Sequence, residues 1–563
     1  MLSRKIIKIS PHNIPLQDIL IQELRISRSV AQILINRGIT TVKEADRFLN
    51  VDISHLLDPF TFPDMKKAVG IVEDTIRKKD PVMIFSDYDV DGVTSLTLLK
   101  HTLAGMGGEP FHYIPNRIKE GYGLNTNVLR LVREKNIKLL ITADCGTNSF
   151  ELLDELRRLG IKIIITDHHE PVESPHGHGA DAVINPKLKD SSYGYRELAG
   201  VGVAYKFCQA LTGKMMEDYL DLVVLGTVAD AVPLTGENRV IVKEGMASLS
   251  NTNRIGLRAL IEASRIKNKK FTPEFISFIL GPRINASGRM DSAETALDLL
   301  MSRHEDHARE LAKTIEGYNR QRQRVESAML EEAKSLIDRE VNFKEHKVMV
   351  VAKEGWHPGV LGIVAAKLAD KFYRPTILIS LTDDLCRGSG RSVKNFHLFE
   401  GVVECSDLLT SVGGHQHAIG MVISKDKIED FRDRINACAR EKLLLEDLIP
   451  SLDIDAELSL SDVTEKLAWE IKKLEPFGSG NPEPLFLTRS LRLKGEPRIL
   501  SRDTLKMWVT DGVCTYPSIG FGMGSLKESL MNTDIFDMVY SVKIDDWQGE
   551  FSLILEMKEA FIR

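Results

Sequence analysis

Thiol chemistry is sparse in this chain. Its six cysteines (Cys145, Cys208, Cys386, Cys405, Cys438 and Cys514) are scattered over 563 residues with no CxxC pair. That excludes a disulfide framework and a structural thiolate zinc site, and it suits a reducing compartment. No uninterrupted apolar run reaches membrane-spanning length, so no membrane partner is expected. The opening MLSRKIIKISPHN has basic residues but no apolar segment or cleavage site, so it does not read as a secretory signal. Excess positive charge is missing too. The net charge is −6, so contact with a polyanion would have to come from local basic patches. What is present, 43% hydrophobic and 27% charged residues, fits a cytoplasmic globular protein of three or four domains.

Against that ordinary background, one pattern recurs. KIIITDHHEP (162–171) runs three isoleucines into Asp167, His168 and His169. PVMIFSDYDVDGVTSLTLL (81–99) ends an apolar run in Asp87, Asp89 and Asp91. LLITADCGT (139–147) ends in Asp144, and LDLVVLGTVADAVPL (220–234) carries Asp230 after its apolar run. Short continuous apolar runs read as strands buried on both faces of a parallel sheet, with helical spans such as 148–159 and 202–212 between them. In that topology the strand ends line one crevice, where open α/β sheets place their ligands. The acids and histidines are therefore expected to converge.

Carboxylates with imidazole and no thiolate form a ligand set for hard or borderline divalent cations, Mg2+ or Mn2+. Without cations such a crowd of acids would repel itself and push its pKa values up. Two ions would neutralise it and make a phosphoester hydrolysis site. A single Asp after a strand is more often a helix cap or turn former. The DxDxD run lacks the Glu expected at the twelfth position of a calcium loop. Four coincident strand-end acids, one followed by a histidine pair, favour a site.

SDYDVDG, ADCGT, TDHH and GTVAD, in this order, resemble the four motifs of the DHH phosphoesterase superfamily. The resemblance continues through IPNRIKEGYG (114–123), GPRINASGRMDSAETAL (281–297), GWHPGVLGIVAAKL (355–368), GSGRS (388–392), GGHQHAIG (413–420) and EPFGSGNPEP (475–484). That ordered set, over about 400 residues, is similar to the RecJ-type 5′→3′ exonucleases specific for single-stranded DNA. The resemblance implies Asp87, Asp89, Asp91, Asp144, His168 and Asp230 as metal ligands, with Asp91 either touching the metal itself or supporting the residues that do. Phe85 stands where many superfamily members have a histidine, and Asp87 would substitute for it. His169, with Asp144 and His168, would be catalytic and sit at the scissile phosphate. Arg283, Ser389 and Arg391 match the positions that bind a 5′ phosphate. Arg117 would grip the DNA backbone, Tyr122 would stack a base, and His415 would lie near the substrate phosphates. The resemblance further implies two Mn2+ or Mg2+ ions, and a role in recombination and repair. A single-strand-binding protein and a helicase would be partners, in a cytoplasmic, nucleoid-associated setting.

The expected architecture follows from both readings. Residues 1–60 are amphipathic helices leading into an α/β parallel-sheet catalytic domain, 61–303. Residues 304–340 hold no proline and one glycine, with Leu311, Ile315, Tyr318, Val325, Met329 and Leu336 near one face. They read as one connecting helix of roughly 50 Å. A second α/β domain, 341–445, is the DHH-associated domain by resemblance. Regularly spaced short β runs in 450–563 point to a small β-barrel, which the resemblance makes an OB fold for single-stranded nucleic acid.

Overall fold

Strands apolar on both faces can only be satisfied inside a parallel sheet covered by helices. The computed structural model describes residues 5–121, 123–172, 179–266, 271–382, 384–545 and 552–562. In it β1 (Val82–Ser86), β2 (Phe111–Tyr113), β3 (Leu139–Ala143), β4 (Lys162–Thr166) and β5 (Ala182–Ile184) form one all-parallel sheet. The strand order is β2-β1-β3-β4-β5. Every residue of β1 and β3 is buried. Met83, Phe85, Leu140, Ile163 and Ile165 pack on one side against Val128, Val132, Leu153 and Leu156.

Helix α1 (Val90–Gly105) follows β1, with Asp89 as its N-cap. Helix α2 (Gly200–Thr212) is buried over almost its whole length. The run 220–229, expected to be a strand, is a helix, α3 (Leu220–Ala229), with Leu220–Val228 all buried. Periodicity cannot separate a buried strand from a helix that is apolar all round, and here length decides for the helix. Asp230 is thus delivered by a helix C-cap.

Helix α4 (Gly281–Met290) and the long helix α5 (Glu305–Glu340) lead to a second sheet. The buried line of α5 runs Ala308, Ala312, Ile315, Asn319, Arg322, Glu326, Met329, Ala333, Ile337, an unbroken three- and four-residue stripe. It lies beside the apolar stripe read from the sequence, because three polar residues occupy its middle. They hydrogen-bond one another: the Arg322 guanidinium donates to Glu326 at 2.5 Å and to Asn319 at 2.7 Å, and Lys367 also pairs with Glu326. The second sheet has the order β9-β10-β8-β7-β6, with β6 Met349–Glu354, β7 Thr376–Leu381, β8 Leu385–Arg391, β9 Leu409–His415 and β10 Ala418–Ser424.

The chain divides into two compact units: Asp58–Asp230 with Met246–Pro450, and Lys5–Leu57 with Ala231–Gly245 and Ser451–Arg563. Residues 5–57 therefore pack with the C-terminal part, rather than forming a lead-in to the catalytic sheet. Leu20, Val30, Ile33 and Leu34 share a core with Leu467, Ile471 and Leu474, and Ile6–Ile9 pairs in parallel with Ser451–Ile454. In this unit Phe486–Leu493, Phe536–Asp545, Ser552–Ile562, Thr515–Gly520 and Thr504–Thr510 pair in turn, and the last closes on the first. That is a closed five-stranded barrel of the OB type. Among the described residues, no helix is long and apolar enough to cross a membrane.

Arg239 ties the second unit together. It is buried, with its guanidinium 3.9 Å from the Phe48 ring centroid. It donates to the carbonyls of Phe48, Lys473, Leu474 and Glu475 at 2.8–3.0 Å. An Arg239→Met variant strips four carbonyls, two of them in buried hydrogen bonds, of this donor. It should lose on the order of 3 kcal/mol of unfolding free energy in denaturant titration; an unchanged midpoint would show the guanidinium to be dispensable.

Candidate active site

Register puts the acids in a row. Ser86 lies opposite Ala143, Ala143 opposite Thr166, and Thr166 opposite Ile184. The ladder runs one residue further: Asp87 N–H donates to Ala143 O, Asp144 N–H to Thr166 O, and Asp167 N–H to Ile184 O, at 2.9–3.2 Å. Asp87, Asp144 and Asp167 are therefore neighbours at the same level of the sheet. Asp144 has φ 62°, a left-handed turn that ends the strand. A Cβ on Gly200 would meet Asp144 Oδ1 at 2.4 Å, so only glycine lets α2 approach this carboxylate.

Around this row the remaining groups close in. His168 Nε2 lies 3.2 Å from Asp144 Oδ1, 3.6 Å from Asp230 Oδ2 and 3.8 Å from Asp91 Oδ2. Three groups each hold their ligand atoms within 4.8 Å: Asp87–Asp89–Asp144, Asp91–His168–Asp230 and Asp144–His168–His169. Asp87 Oδ1, Asp144 Oδ1 and His168 Nε2 are buried without a hydrogen-bond partner. Buried orphan acceptors of this chemistry fit a divalent cation. Asp91 has a second task, for its two oxygens accept the N–H groups of Gly200 and Val201 at 2.7 Å and anchor the start of α2.

The electrostatics follow from this crowding. Burial first, then neighbouring carboxylates, raises Asp87, Asp144 and Asp230 well above the usual range. The same causes raise Asp91 to about 7. Burial, then the charge of His169, lowers His168 to about 3, so it stays neutral with a lone pair to offer. His169 is the opposite case. Burial opposes its charge, but Asp167 raises it to about 9.

Asp167 itself does not join the ligand groups. Its carboxylate accepts from Thr147 N at 2.9 Å, His168 N at 2.7 Å, His169 N at 3.1 Å and His169 Nδ1 at 2.7 Å. Burial alone would raise it, yet His169, His168 and the Thr147 N–H hold it far below the ordinary carboxylate value. It fixes the loop that carries both histidines, a function its sequence position did not reveal.

A second cluster is cationic. Ser389 and Arg391 share one face of β8, and a Cβ on Gly362 would meet both side chains at 3.0 Å. Arg283, expected beside them, donates to Glu316 of α5 at 2.8 Å and to the Ile279 carbonyl. Its charge is already matched. Arg289, six residues on, faces the pocket instead: it donates to the Gly359 carbonyl, and Arg117 and Arg391 depress its pKa after burial does. Among the described residues, Arg117, Arg289 and Arg391 have no carboxylate partner. Mutually repelling arginines without acids form a pocket for an anion. Both arginines lie in the one motif GPRINASGR, and their partners in the structure differ.

Arg117 lies 4.9 Å above the Tyr88 ring and acts on both Asp87 and Arg391, linking the acidic and basic clusters. His415 is exposed on the β9–β10 hairpin; after desolvation, the charges of His417, Arg391, His169 and Lys187 lower its pKa. Tyr122 falls outside the described residues.

The raised carboxylates set a pH-dependent instability. Their folded pKa values exceed the unfolded value of about 4, so folding takes up protons between the two. Stability present below pH ~4 is lost as pH rises toward the folded values, about 7 for Asp91. Bound cations reverse that loss, so Mn2+ should raise the melting temperature of EDTA-stripped protein more at pH 8 than at pH 5. Asp144→Asn should match or exceed wild-type stability without metal and lose much of the gain with it. Equal Mn2+ shifts at both pH values would count against this electrostatic account.

Comparison with known proteins completes the picture. Residues 81–227 match the DHH family, N-terminal domain; residues 345–441 match the DHHA1 domain; residues 454–559 match the RecJ OB domain. The chain is 37% identical over 546 residues to the single-stranded-DNA-specific exonuclease RecJ of Bacillus subtilis, covering 96% of this chain and 69% of that protein. It is 31% identical to the RecJ of Dickeya dadantii, over 92% of this chain and 93% of that one. The crystal structure of Thermus thermophilus RecJ in complex with Mn2+ superposes with a TM-score of 0.84 at 26% identity, covering 100% of this chain and 80% of that one. The Mg2+ complex gives 0.78 at 25% identity, covering 100% and 79%. The chain belongs to the RecJ family of metal-dependent exonucleases specific for single-stranded DNA.

Proposed function

We propose that this chain degrades single-stranded DNA from its 5′ end and releases 5′-mononucleotides. The observation that carries the polarity is the pocket of Arg289, Arg391 and Ser389, joined to the carboxylate row through Arg117. A terminal phosphate carries more negative charge than an internal one, so an arginine pocket without acids selects an end. The first phosphodiester beyond that phosphate is then presented to the carboxylate row.

Asp87, Asp89, Asp144, His168 and Asp230 would hold two divalent cations, Mn2+ or Mg2+, which when bound supply Lewis-acid charge for attack of water on the phosphodiester. Asp144 is the natural shared ligand, because it belongs both to the group with Asp87 and Asp89 and to that with His168. Asp91 supports this site by anchoring α2. His169, kept protonated by Asp167, donates to a phosphate oxygen as negative charge develops there. His415 approaches the same phosphates from the second α/β domain, and Tyr122 offers a ring for a base. By resemblance, a helicase and a single-strand-binding protein would supply and hold the unwound end, in cytoplasmic, nucleoid-associated repair and recombination.

Polarity and the pocket are tested together on a 40-mer carrying either a 5′ or a 3′ label. Labelled mononucleotide should appear first from the 5′-labelled strand, only with Mn2+ or Mg2+. Removing the 5′ phosphate should slow the wild type, while Arg289→Ala should lose about ten-fold in kcat/KM on phosphorylated strands and much of that preference. Arg283→Ala should keep the preference. Earlier release from the 3′ label would reverse the assignment.

A further inference from the structure

The loop that presents Arg117 contains an acid. In IPNRIKEG, Arg117 and Lys119 suit a polyanion, whereas Glu120 would repel one if it faced outward. It faces inward. The Glu120 carboxylate accepts from Tyr113 Oη at 2.5 Å, from Asn116 N at 3.1 Å, and from Asn125 Nδ2 and Asn127 Nδ2 at 3.0 Å. These donors come from the end of β2, from the loop itself, and from the first turn after it. Asn116 carries the order onward: its Oδ1 accepts from Ile118 N and Lys119 N at 3.0 Å, and its Nδ2 donates to the Asp291 carbonyl. From the second α/β domain, Arg387 donates to the Ile118 carbonyl.

We infer that Glu120 is a positioning residue for the exonuclease reaction, holding the 114–121 loop so that Arg117 stands over Tyr88 and toward the DNA backbone. The inference rests on the reading that Arg117 contacts DNA. Four donors on one carboxylate, with no cation among them, mean that the negative charge is spent inside the loop. A glutamine at this position keeps the shape but turns one acceptor oxygen into a donor facing donors. Burial alone would raise the Glu120 pKa, but the hydrogen bonds from Tyr113, Asn116, Asn127 and Asn125 together hold it below the ordinary value.

The test is a double-mutant cycle on the full chain with 5′-phosphorylated single-stranded DNA and Mn2+. Arg117→Ala should raise KM about ten-fold with kcat little changed, and Glu120→Gln should raise KM by a similar factor. The double variant should be no worse than Arg117→Ala alone, because both act through one guanidinium. Tyr113→Phe removes a single donor and should give a smaller KM rise; it keeps the question open to experiment if Glu120→Gln fails to fold. If Arg117→Ala leaves KM unchanged, the DNA-contact reading fails. If Arg117→Ala raises KM while Glu120→Gln and Tyr113→Phe do not, or if the double variant shows multiplied losses, the positioning role of Glu120 is overturned.

Discussion

Like charges forced together at the end of a parallel sheet are the constraint from which this structure is organised. Level strands place Asp87 and Asp144 side by side, α1 brings in Asp89 and Asp91, and α3 brings in Asp230. Asp87, Asp91, Asp144 and Asp230 are buried enough that their charge is unfavourable, and the neighbouring carboxylates make it worse. A protein folded for stability alone would dilute such a cluster. Here Gly200 and Gly226 let α2 and α3 close on the acids, since a Cβ at either would come within 2.4 Å of Asp144 Oδ1 or 2.7 Å of Asp91 Oδ1. The arrangement makes sense when cations supply the missing positive charge.

Two other carboxylates in the same domain do the opposite work. Asp167 and Glu120 are not crowded by acids but surrounded by donors, four each. A carboxylate has about four acceptor directions, so one side chain can lock three chain segments at once. Asp167 locks the histidine loop, and Glu120 the arginine loop. The same residue type thus serves as ligand where donors are absent and as brace where they are present. Type alone does not distinguish the two; the neighbours do.

That is also why the site was only partly legible in the sequence. The acids at the ends of β1, β3 and β4 could be read because a buried parallel strand is a continuous apolar run with an abrupt end. Asp230 was found for a reason that proved incomplete, since its apolar run is a helix whose burial hides the 3.6-residue period. The central line of α5 escaped a hydrophobic pattern because Asn319, Arg322 and Glu326 are buried in it and hydrogen-bond one another. Residues 5–57 carry amphipathic helices whose partners, more than 400 residues away, leave no local trace. Arg283 and Arg289 are six residues apart in one motif, and only the presence of Glu316 beside the first tells them apart.

The central claim is that the strand-end carboxylates exist to hold divalent cations. Anomalous scattering from crystals grown with Mn2+ tests it most directly. The account predicts manganese peaks within coordinating distance of Asp144, between the Asp87–Asp89 side and the His168–Asp230 side. A fully occupied structure with no peak there, its carboxylates neutralised by lysine or arginine instead, would contradict it.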